Sequence, residues 1–165
     1  MLNPKKISPD LGNYLTGLAD AEGSFNVSFR KRKDYKIPLK ISLCFNFSQK
    51  EEDQVLVSLF KKELQCGTIR ERKHDGVYYY EVNNFNDIQT NVIPFFKQFG
   101  FLSAKKKKDF SKFRQIAKLI QEKEHLTVEG IKKILKLRKE MNHGGKRKSS
   151  DEEILRILRD YMPNA

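Results

Sequence analysis

The hydrophobic pattern of the chain changes repeatedly between a helical period and a strand period. Apolar side chains recur at helical spacing over residues 11–18, after the helix-start residues Ser8 and Pro9, and predict a first helix that ends near residue 21. The same spacing predicts five later helices, at about residues 50–65, 86–99, 104–124, 127–142 and 151–162. Pro94 is expected to kink or restart the third of these six helices.

Strict alternation of apolar and polar residues predicts two hairpins between these helices. The first joins residues 24–32 to residues 39–49, and the second spans residues 67–82 around a turn at His74, Asp75 and Gly76. Two units of hairpin plus helix therefore stand in tandem, which indicates an α+β fold. We expect a single domain over residues 1–165.

The net charge of the chain indicates which class of molecule it binds. The 165 residues carry a net charge of +12, and residues 104–148 alone hold sixteen basic and five acidic side chains. Such an excess favours a polyanion, either nucleic acid or an anionic membrane surface. No apolar run is long enough to cross a membrane and no signal or transit peptide is evident, so we expect a soluble intracellular protein.

The two cysteines, Cys44 and Cys66, lack the spacing of a disulfide framework or a zinc site, and we interpret both as core thiols. No two of the three histidines have metal-ligand spacing, and no phosphate-binding glycine loop is present.

The candidate chemistry lies where the first helix ends, in LTGLADAEG. Asp20 and Glu22 are acids at a helix end that prefers cations, so a positive group is expected nearby. Glu22 and the carbonyl of Ala21 offer a divalent cation the oxygen ligands that it prefers. Gly17 and Ala21 share a helix face that a second helix could approach closely. Alternatively, Asp20 caps the helix, Glu22 is solvated, and the small residues pack on the protein's own sheet.

This segment resembles the nine-residue signature of the LAGLIDADG homing endonucleases. The predicted elements match that family's αββαββα core over about residues 8–122, and residues 122–142 resemble a segment of its organellar, intron-encoded members. The resemblance implies a saddle-shaped antiparallel β-sheet, with a C-terminal helical extension over about residues 123–165. It implies a homing endonuclease that makes a double-strand break in a long, near-palindromic DNA target.

By the same resemblance, Glu22 and the Ala21 carbonyl bind the catalytic Mg²⁺. Only one motif occurs in the chain, which implies a homodimer that packs through Gly17, Leu18 and Ala21 of each motif helix. Two further catalytic residues are implied. Gln49 ends the second strand, and Lys106 is selected from Lys105, Lys106, Lys107 and Lys108, although a shift by one residue stays open.

We assign DNA binding to the polar faces of the strands, because an antiparallel sheet can enter the major groove of DNA and contact base edges. The residues assigned to this DNA-binding face are Asn26, Ser28, Arg30, Arg32, Lys40, Ser42, Asn46, Thr68, Arg70, Arg72, Tyr78 and Tyr80. Arginine suits guanine and asparagine suits adenine.

The sequence is compatible with two other functions. The same fold serves some family members as an RNA maturase, for which intron RNA is the partner, and a catalytically inactive DNA-binding dimer is the third hypothesis. The expected location is a mitochondrion or chloroplast, with synthesis inside the organelle, and a bacterial cytoplasm also fits the sequence.

Overall fold

The structure is a computed structural model that describes residues 1–141 and 150–161. The six predicted helices are present in these residues as seven, because the third is divided in two. They are α1 Pro9–Glu22, α2 Gln54–Leu64, α3 Phe85–Asp87, α4 Ile93–Phe99, α5 Ala104–Gln121, α6 Val128–Lys139 and α7 Asp151–Tyr161. The four strands are β1 Ser24–Lys31, β2 Leu39–Lys50, β3 Thr68–Arg72 and β4 Val77–Val82. The sequence from residue 143 to residue 150 has no helical or strand period, and all of it except Ser150 lies outside the described residues.

The strands form one four-stranded sheet in the order β1-β2-β4-β3. Strand β4 pairs antiparallel with β2 on one side and with β3 on the other. The predicted α+β class and the helices between the hairpins are therefore confirmed. None of the helices in the described residues combines the length and apolar character that a membrane crossing requires.

Contacts divide the chain into two compact units. The first contains residues Met1–Phe25 and Leu43–Lys108, and the second contains Asn26–Ser42 and Asp109–Ala165. The boundaries pass through β1, β2 and α5. The expectation of a single domain stays a prediction.

An aromatic cluster forms the core of the first unit. Phe45 lies at its centre, with ring centroids 5.1 Å from Phe25, 6.0 Å from Phe60 and 5.0 Å from Phe96. All four rings are almost fully buried. Aromatic pairs at such separations add to the free energy gained by burial alone. This cluster packs α2 and α4 against the apolar side of the strands.

The third predicted helix contains a change of geometry close to where Pro94 predicted one. Helix α3 continues as a π-helical turn over Ile88–Val92, and α4 then begins with Pro94 in its first turn. Within the turn, the buried side chain of Asn91 donates to the carbonyl of Leu64 at 2.8 Å. The C-terminal end of α2 is thereby held against this segment.

The second unit packs α6 and α7 beside the end of β1. The guanidinium of Arg138 is buried and lies 5.0 Å from the ring centroid of Phe29. One of its nitrogens is 3.8 Å from the carboxylate of Asp151, and Lys31 contacts Glu153 at 3.1 Å. Because a buried charge is costly without a partner, the ion pair of Arg138 and Asp151 ties α7 to α6.

The sheet corrects the prediction for two tyrosines. Tyr80 is opposite Phe47 in the pairing of β2 with β4, and it is 0% exposed. Tyr78 is two residues away on the same face, opposite Gln49. Since side chains alternate along a strand, both point to the core side of the sheet and not to the predicted DNA-binding face. Tyr79 occupies the polar face instead.

The expected core location of the thiols is also only partly correct. Cys66 lies beside the core residue Tyr80, with 3.7 Å between its sulfur and the phenol oxygen. Cys44 is half-buried on the polar face of β2, where burial and the charge of Glu81 raise its pKa to about 12. Both thiols are free, as the spacing predicted.

We expect Tyr80→Phe to lower the free energy of unfolding by about 1 to 2 kcal/mol, because the Tyr80 hydroxyl donates to the Cys66 carbonyl at 3.1 Å in a buried site. Urea denaturation measures the effect. The control is Tyr79→Phe, which removes a hydroxyl from the opposite face and should change the stability by less than about 0.5 kcal/mol. Equal stability of Tyr80→Phe and the wild type would contradict the core assignment.

Candidate active site

The motif helix α1 begins and ends as the sequence predicts. The hydroxyl of Ser8 accepts from the backbone N–H of Leu11 at 3.3 Å, which caps the helix start. At the other end, the N–H of Gly23 donates to the carbonyl of Ala19 at 2.9 Å. A Cβ at residue 23 would lie 2.7 Å from that carbonyl oxygen, so only glycine permits this close exit.

Glu22 is the last residue of α1 and its side chain is exposed. The carbonyl of Ala21 lies beyond the last hydrogen bond of the helix, which Ala19 accepts from Gly23. A carboxylate and a carbonyl oxygen therefore stand together at this helix end. Both are ligands of the kind that Mg²⁺ binds in proteins.

The positive group expected near the two acids is the N-terminal end of α5. Asp20 accepts hydrogen bonds from the backbone N–H of Leu102 at 3.1 Å and of Ser103 at 2.9 Å, and also from the Ser103 hydroxyl. Although partial burial raises the pKa of Asp20, the hydrogen bonds from Ser103 and Leu102 and the charge of Lys106 lower it below its usual value. Asp20 therefore binds the residues that precede α5, and it does not cap α1 as the alternative proposed.

Lys106 stands apart from its three lysine neighbours. It is half-buried, whereas the other three are exposed. Its ammonium group donates to the carbonyl of Gly23, the residue that follows Glu22. The fold thus brings the start of α5 to the end of α1, and Lys106 is the lysine that reaches the motif.

Gln49 is placed by the strand pairing. It is the second-last residue of β2, half-buried, and opposite Tyr78 on the same face as Phe47. The hydrogen bonds described above join Lys106 to the Glu22 end of α1, but they do not include Gln49.

One chain supplies an incomplete metal site. Across residues 1–141 and 150–161, no three His, Cys, Asp or Glu side chains are grouped so that they could hold a metal ion. Glu22 offers one carboxylate, and a hard divalent cation takes six or more oxygen ligands from carboxylates, carbonyls, waters or substrate. The donor type fits such an ion, and the ligand count requires additional groups.

One face of α1 is uncovered. Gly17 and Ala21 are exposed and Leu18 is half-buried, and Tyr14, which the sequence reading did not include, is 51% exposed on the same side. A Cβ placed on Gly17 would meet no atom of residues 1–141 and 150–161 within 4 Å. The alternative that Gly17 and Ala21 pack on the protein's own sheet is therefore wrong.

In the first unit, the polar sheet face carries four of the predicted residues. Arg70 is opposite Tyr79 and Arg72 is opposite Val77, while Thr68 and Asn46 both face Glu81. The guanidinium of Arg72 is held by Asp75, with 2.8 Å between Nε and Oδ1, and lies 5.0 Å from the centroid of the Tyr79 ring. The face also carries Ser48, Lys50, Tyr79 and Glu81, which are not among the predicted DNA-binding residues. The alternation of β2 does place Ser48 on this face.

The remaining predicted residues belong to the second unit. Asn26 and Ser28 are half-buried and Arg30 is exposed, and all three alternate with the buried Val27 and Phe29 along β1. Lys40 and Ser42 lie on the polar face of β2, exposed and half-buried respectively.

Arg32 lies beyond the end of β1. Its two hydrogen bonds to Asp34, at 2.8 and 2.7 Å, hold the pKa of that carboxyl near 2. The Nε and Nη2 atoms, with which Arg32 would bind a base edge, therefore already donate to Asp34.

Comparisons with known proteins identify the family of the chain. The family model described as LAGLIDADG endonuclease matches residues 15–117. The chain is 32% identical over 137 residues to a "Probable intron-encoded endonuclease 2" of Neurospora crassa, covering 83% of this chain and 28% of that protein. The chain thus spans well under half the length of this relative.

Solved structures share the fold. The homing endonuclease I-TnaI is 30% identical, with a TM-score of 0.79 and coverage of 94% of this chain and 98% of that one. The meganuclease I-SmaMI bound to uncleavable DNA is 34% identical with a TM-score of 0.77, covering 81% of this chain and 45% of that one. Another I-SmaMI structure holds uncleaved DNA in the presence of calcium ions. With more than half of its residues matched, this chain belongs to the LAGLIDADG endonuclease family.

Proposed function

We propose that the chain is a site-specific DNA endonuclease that acts as a homodimer and hydrolyses one phosphodiester bond in each strand of a near-palindromic target. The observation that carries this proposal is the contact of the Lys106 ammonium with the carbonyl beside Glu22. It places a cation and a carboxylate at one helix end, as hydrolysis of a phosphate ester requires. Family membership and the DNA complexes of I-SmaMI support the same reading.

We assign the metal site to the carboxylate of Glu22 and the carbonyl of Ala21, with Mg²⁺ as the ion. The exposed carboxylate and the carbonyl beyond the last helical hydrogen bond fit a hard divalent cation. When bound, the ion would supply Lewis acidity to the phosphate and an activated water. The I-SmaMI complex with uncleaved DNA in the presence of calcium ions is consistent with a need for a hard divalent cation in the family.

Lys106 and Gln49 act on the same phosphate. The Lys106 ammonium would stabilise negative charge as it develops on the phosphate oxygens, because a preorganised cation acts strongly where water is excluded. The Gln49 amide would orient the attacking water by hydrogen bonding. Both residues belong to the first unit, as Glu22 does.

The active enzyme requires two chains. A single chain offers one exposed motif carboxylate, that of Glu22, and two cuts require two such groups. The uncovered face of α1 around Gly17 and Ala21 would let two motif helices approach along a two-fold axis, with Leu18 and Tyr14 at the edge of the contact. Each chain would then provide half of the cleavage centre.

The polar strand faces would read the target. Arg30 and Arg70 are exposed on their strands and suit guanine, whereas Asn26 and Asn46 suit adenine. Arg32 and Arg72 would first exchange their carboxylate partners for DNA. Ser28, Lys40, Ser42 and Thr68 would contribute base or phosphate contacts. The positive charge concentrated in residues 104–148 would add phosphate contacts that weaken with salt.

The cellular setting follows from the relatives. The Neurospora protein is named as intron-encoded, and a cox1 intron-2 protein of Schizosaccharomyces pombe is 35% identical over 124 residues. We infer that this protein is also intron-encoded and is made and used in an organelle.

The first test is cleavage of a randomised library of near-palindromic duplexes in Mg²⁺, with Ca²⁺ as the binding control. We expect one symmetric site to be enriched among the cut molecules. Glu22→Gln should slow cleavage of that site by about a thousandfold or more, because metal binding supplies several kcal/mol of transition-state stabilisation. Asp10→Asn, which neutralises an exposed acid at the other end of α1, is the matched control and should cut like the wild type.

Rapid cleavage by Glu22→Gln would contradict the metal assignment. Binding of the library without cleavage in Mg²⁺ would contradict the endonuclease proposal. It would favour the inactive DNA-binding dimer, or the RNA maturase if structured intron RNA is bound in preference to DNA.

Dimerisation is tested by Gly17→Leu. The chain's own fold has room for a side chain at residue 17, so the variant should fold, but the leucine should separate the two motif helices. Analytical ultracentrifugation should show monomers at concentrations where the wild type is dimeric. Ser58→Leu, at an exposed position of α2, controls for added surface hydrophobicity. A stable Gly17→Leu dimer would place the interface elsewhere.

Base recognition is tested by Arg70→Ala. Loss of a bidentate contact should relax the preference at one symmetric pair of base positions and cost about 1 to 3 kcal/mol there. The cleaved-site library measures the change. Arg114→Ala, at an exposed position of α5, should weaken binding about equally at all sequences. A uniform effect of Arg70→Ala would identify it as a phosphate contact.

A further inference from the structure

We propose that Asp20 and Ser103 are positioning residues for the catalytic lysine. They fix the start of α5 on the end of α1, so that Lys106 meets the Gly23 carbonyl beside the metal-binding carboxylate. This inference rests on the proposed function, because it assigns the two residues a role in that reaction. Neither residue is expected to contact the metal or the DNA.

The contacts form a closed ring. One oxygen of Asp20 accepts from the backbone N–H groups of Leu102 and Ser103, at 3.1 and 2.9 Å, and the other accepts from the Ser103 hydroxyl. The Ser103 oxygen in turn accepts from the backbone N–H of Lys106 at 3.2 Å. The Lys106 ammonium then returns to Gly23, three residues after Asp20. The backbone N–H of Lys106 is therefore linked to Asp20 through Ser103, and its ammonium group binds Gly23, so both contacts lead to the C-terminal end of α1.

The ring satisfies groups that would otherwise lack partners. The first N–H groups of a helix have no acceptor within the helix, and the start of a helix carries partial positive charge. The Ser103 hydroxyl accepts one of these groups, the N–H of Lys106. The Asp20 carboxylate binds the N–H groups of Leu102 and Ser103, just before α5, and places negative charge beside the start of that helix. An acid at the C-terminal end of α1 is unfavourable for α1 alone, so its position is explained by α5.

The ring also explains why one lysine of four is selected. A lysine side chain is long and flexible, and its ammonium can be placed accurately only if its backbone is fixed. Lys106 is the lysine whose N–H donates to the Ser103 hydroxyl and whose side chain is half-buried, whereas Lys105, Lys107 and Lys108 are exposed. A shift of the helix start by one residue would direct a different side chain to the motif.

The first test measures the position of the lysine without catalysis. Competitive acetylation followed by peptide mass spectrometry reports the reactivity of each amine. In the wild type, Lys106 should react several-fold more slowly than its three neighbours, because its ammonium is hydrogen-bonded. In Asp20→Asn and Ser103→Ala this protection should be lost, whereas Ser103→Thr, which keeps the hydroxyl, should retain it. Equal reactivity of Lys106 in wild type and Ser103→Ala would overturn the proposal.

The second test is a double-mutant cycle on single-turnover cleavage of the selected site in Mg²⁺. Asp20→Asn and Ser103→Ala should each lower the cleavage rate about tenfold to a hundredfold, the size expected for a misplaced catalytic group, with unchanged DNA affinity in Ca²⁺. In a Lys106→Ala background the same changes should lower the rate by less than about twofold, because their effect passes through the lysine. Asp10→Asn is again the matched control.

The outcomes separate the two proposals. If the double variant lost cleavage rate by the product of the two single-variant losses, Asp20 and Lys106 would act independently. That result would overturn the positioning role of Asp20. A wild-type protein that cuts no duplex contradicts the endonuclease proposal, while the acetylation pattern still decides whether Asp20 and Ser103 hold Lys106. A general loss of folding in Asp20→Asn would appear in its melting temperature, and the pair Ser103→Ala and Ser103→Thr then decides the result.

Discussion

The carboxylate of Asp20 is the interaction on which the candidate site depends. It lies 82 to 83 residues along the chain from the groups that it binds, and it joins the end of α1 to the start of α5. The approach of Lys106 to the end of α1 follows from this junction. It determines which lysine faces the motif, and it leaves Glu22 at the exposed tip of the helix. The motif therefore supplies two acids with different roles. Asp20 joins α1 to the start of α5, and Glu22 remains exposed to solvent.

Much of the architecture is predictable because the hydrophobic period is unambiguous. Alternating apolar residues fix the inner and outer faces of β1 and β2, and the structure places Phe25, Phe45 and Phe47 in the core as the alternation requires. The start of α1 at Ser8 follows from ordinary capping chemistry. The resemblance adds the assignment of Lys106, which charge and spacing alone could not have made among four consecutive lysines.

What the sequence did not predict has physical reasons. Three consecutive tyrosines in β4 carry no alternating signal, so their phase is set only by the register with β2, which pairs Phe47 with Tyr80. The engagement of Arg32 and Arg72 by nearby acids depends on turn geometry that the pattern does not contain. The contact of Asp20 with Ser103 joins distant segments, and no local period could indicate it.

Gly17 connects the stability of the chain to its proposed assembly. Glycine inside a helix costs about 0.5 to 1 kcal/mol relative to alanine, and within the part of the chain that the structure describes an added Cβ would meet nothing within 4 Å. The described contacts of a single chain therefore do not require glycine at this position. A second motif helix accounts for it under the proposed dimer, because two backbones can meet closely only where side chains are small. The same approach would bring the two Glu22 carboxylates together, so that assembly of the protein and completion of its metal site become one event.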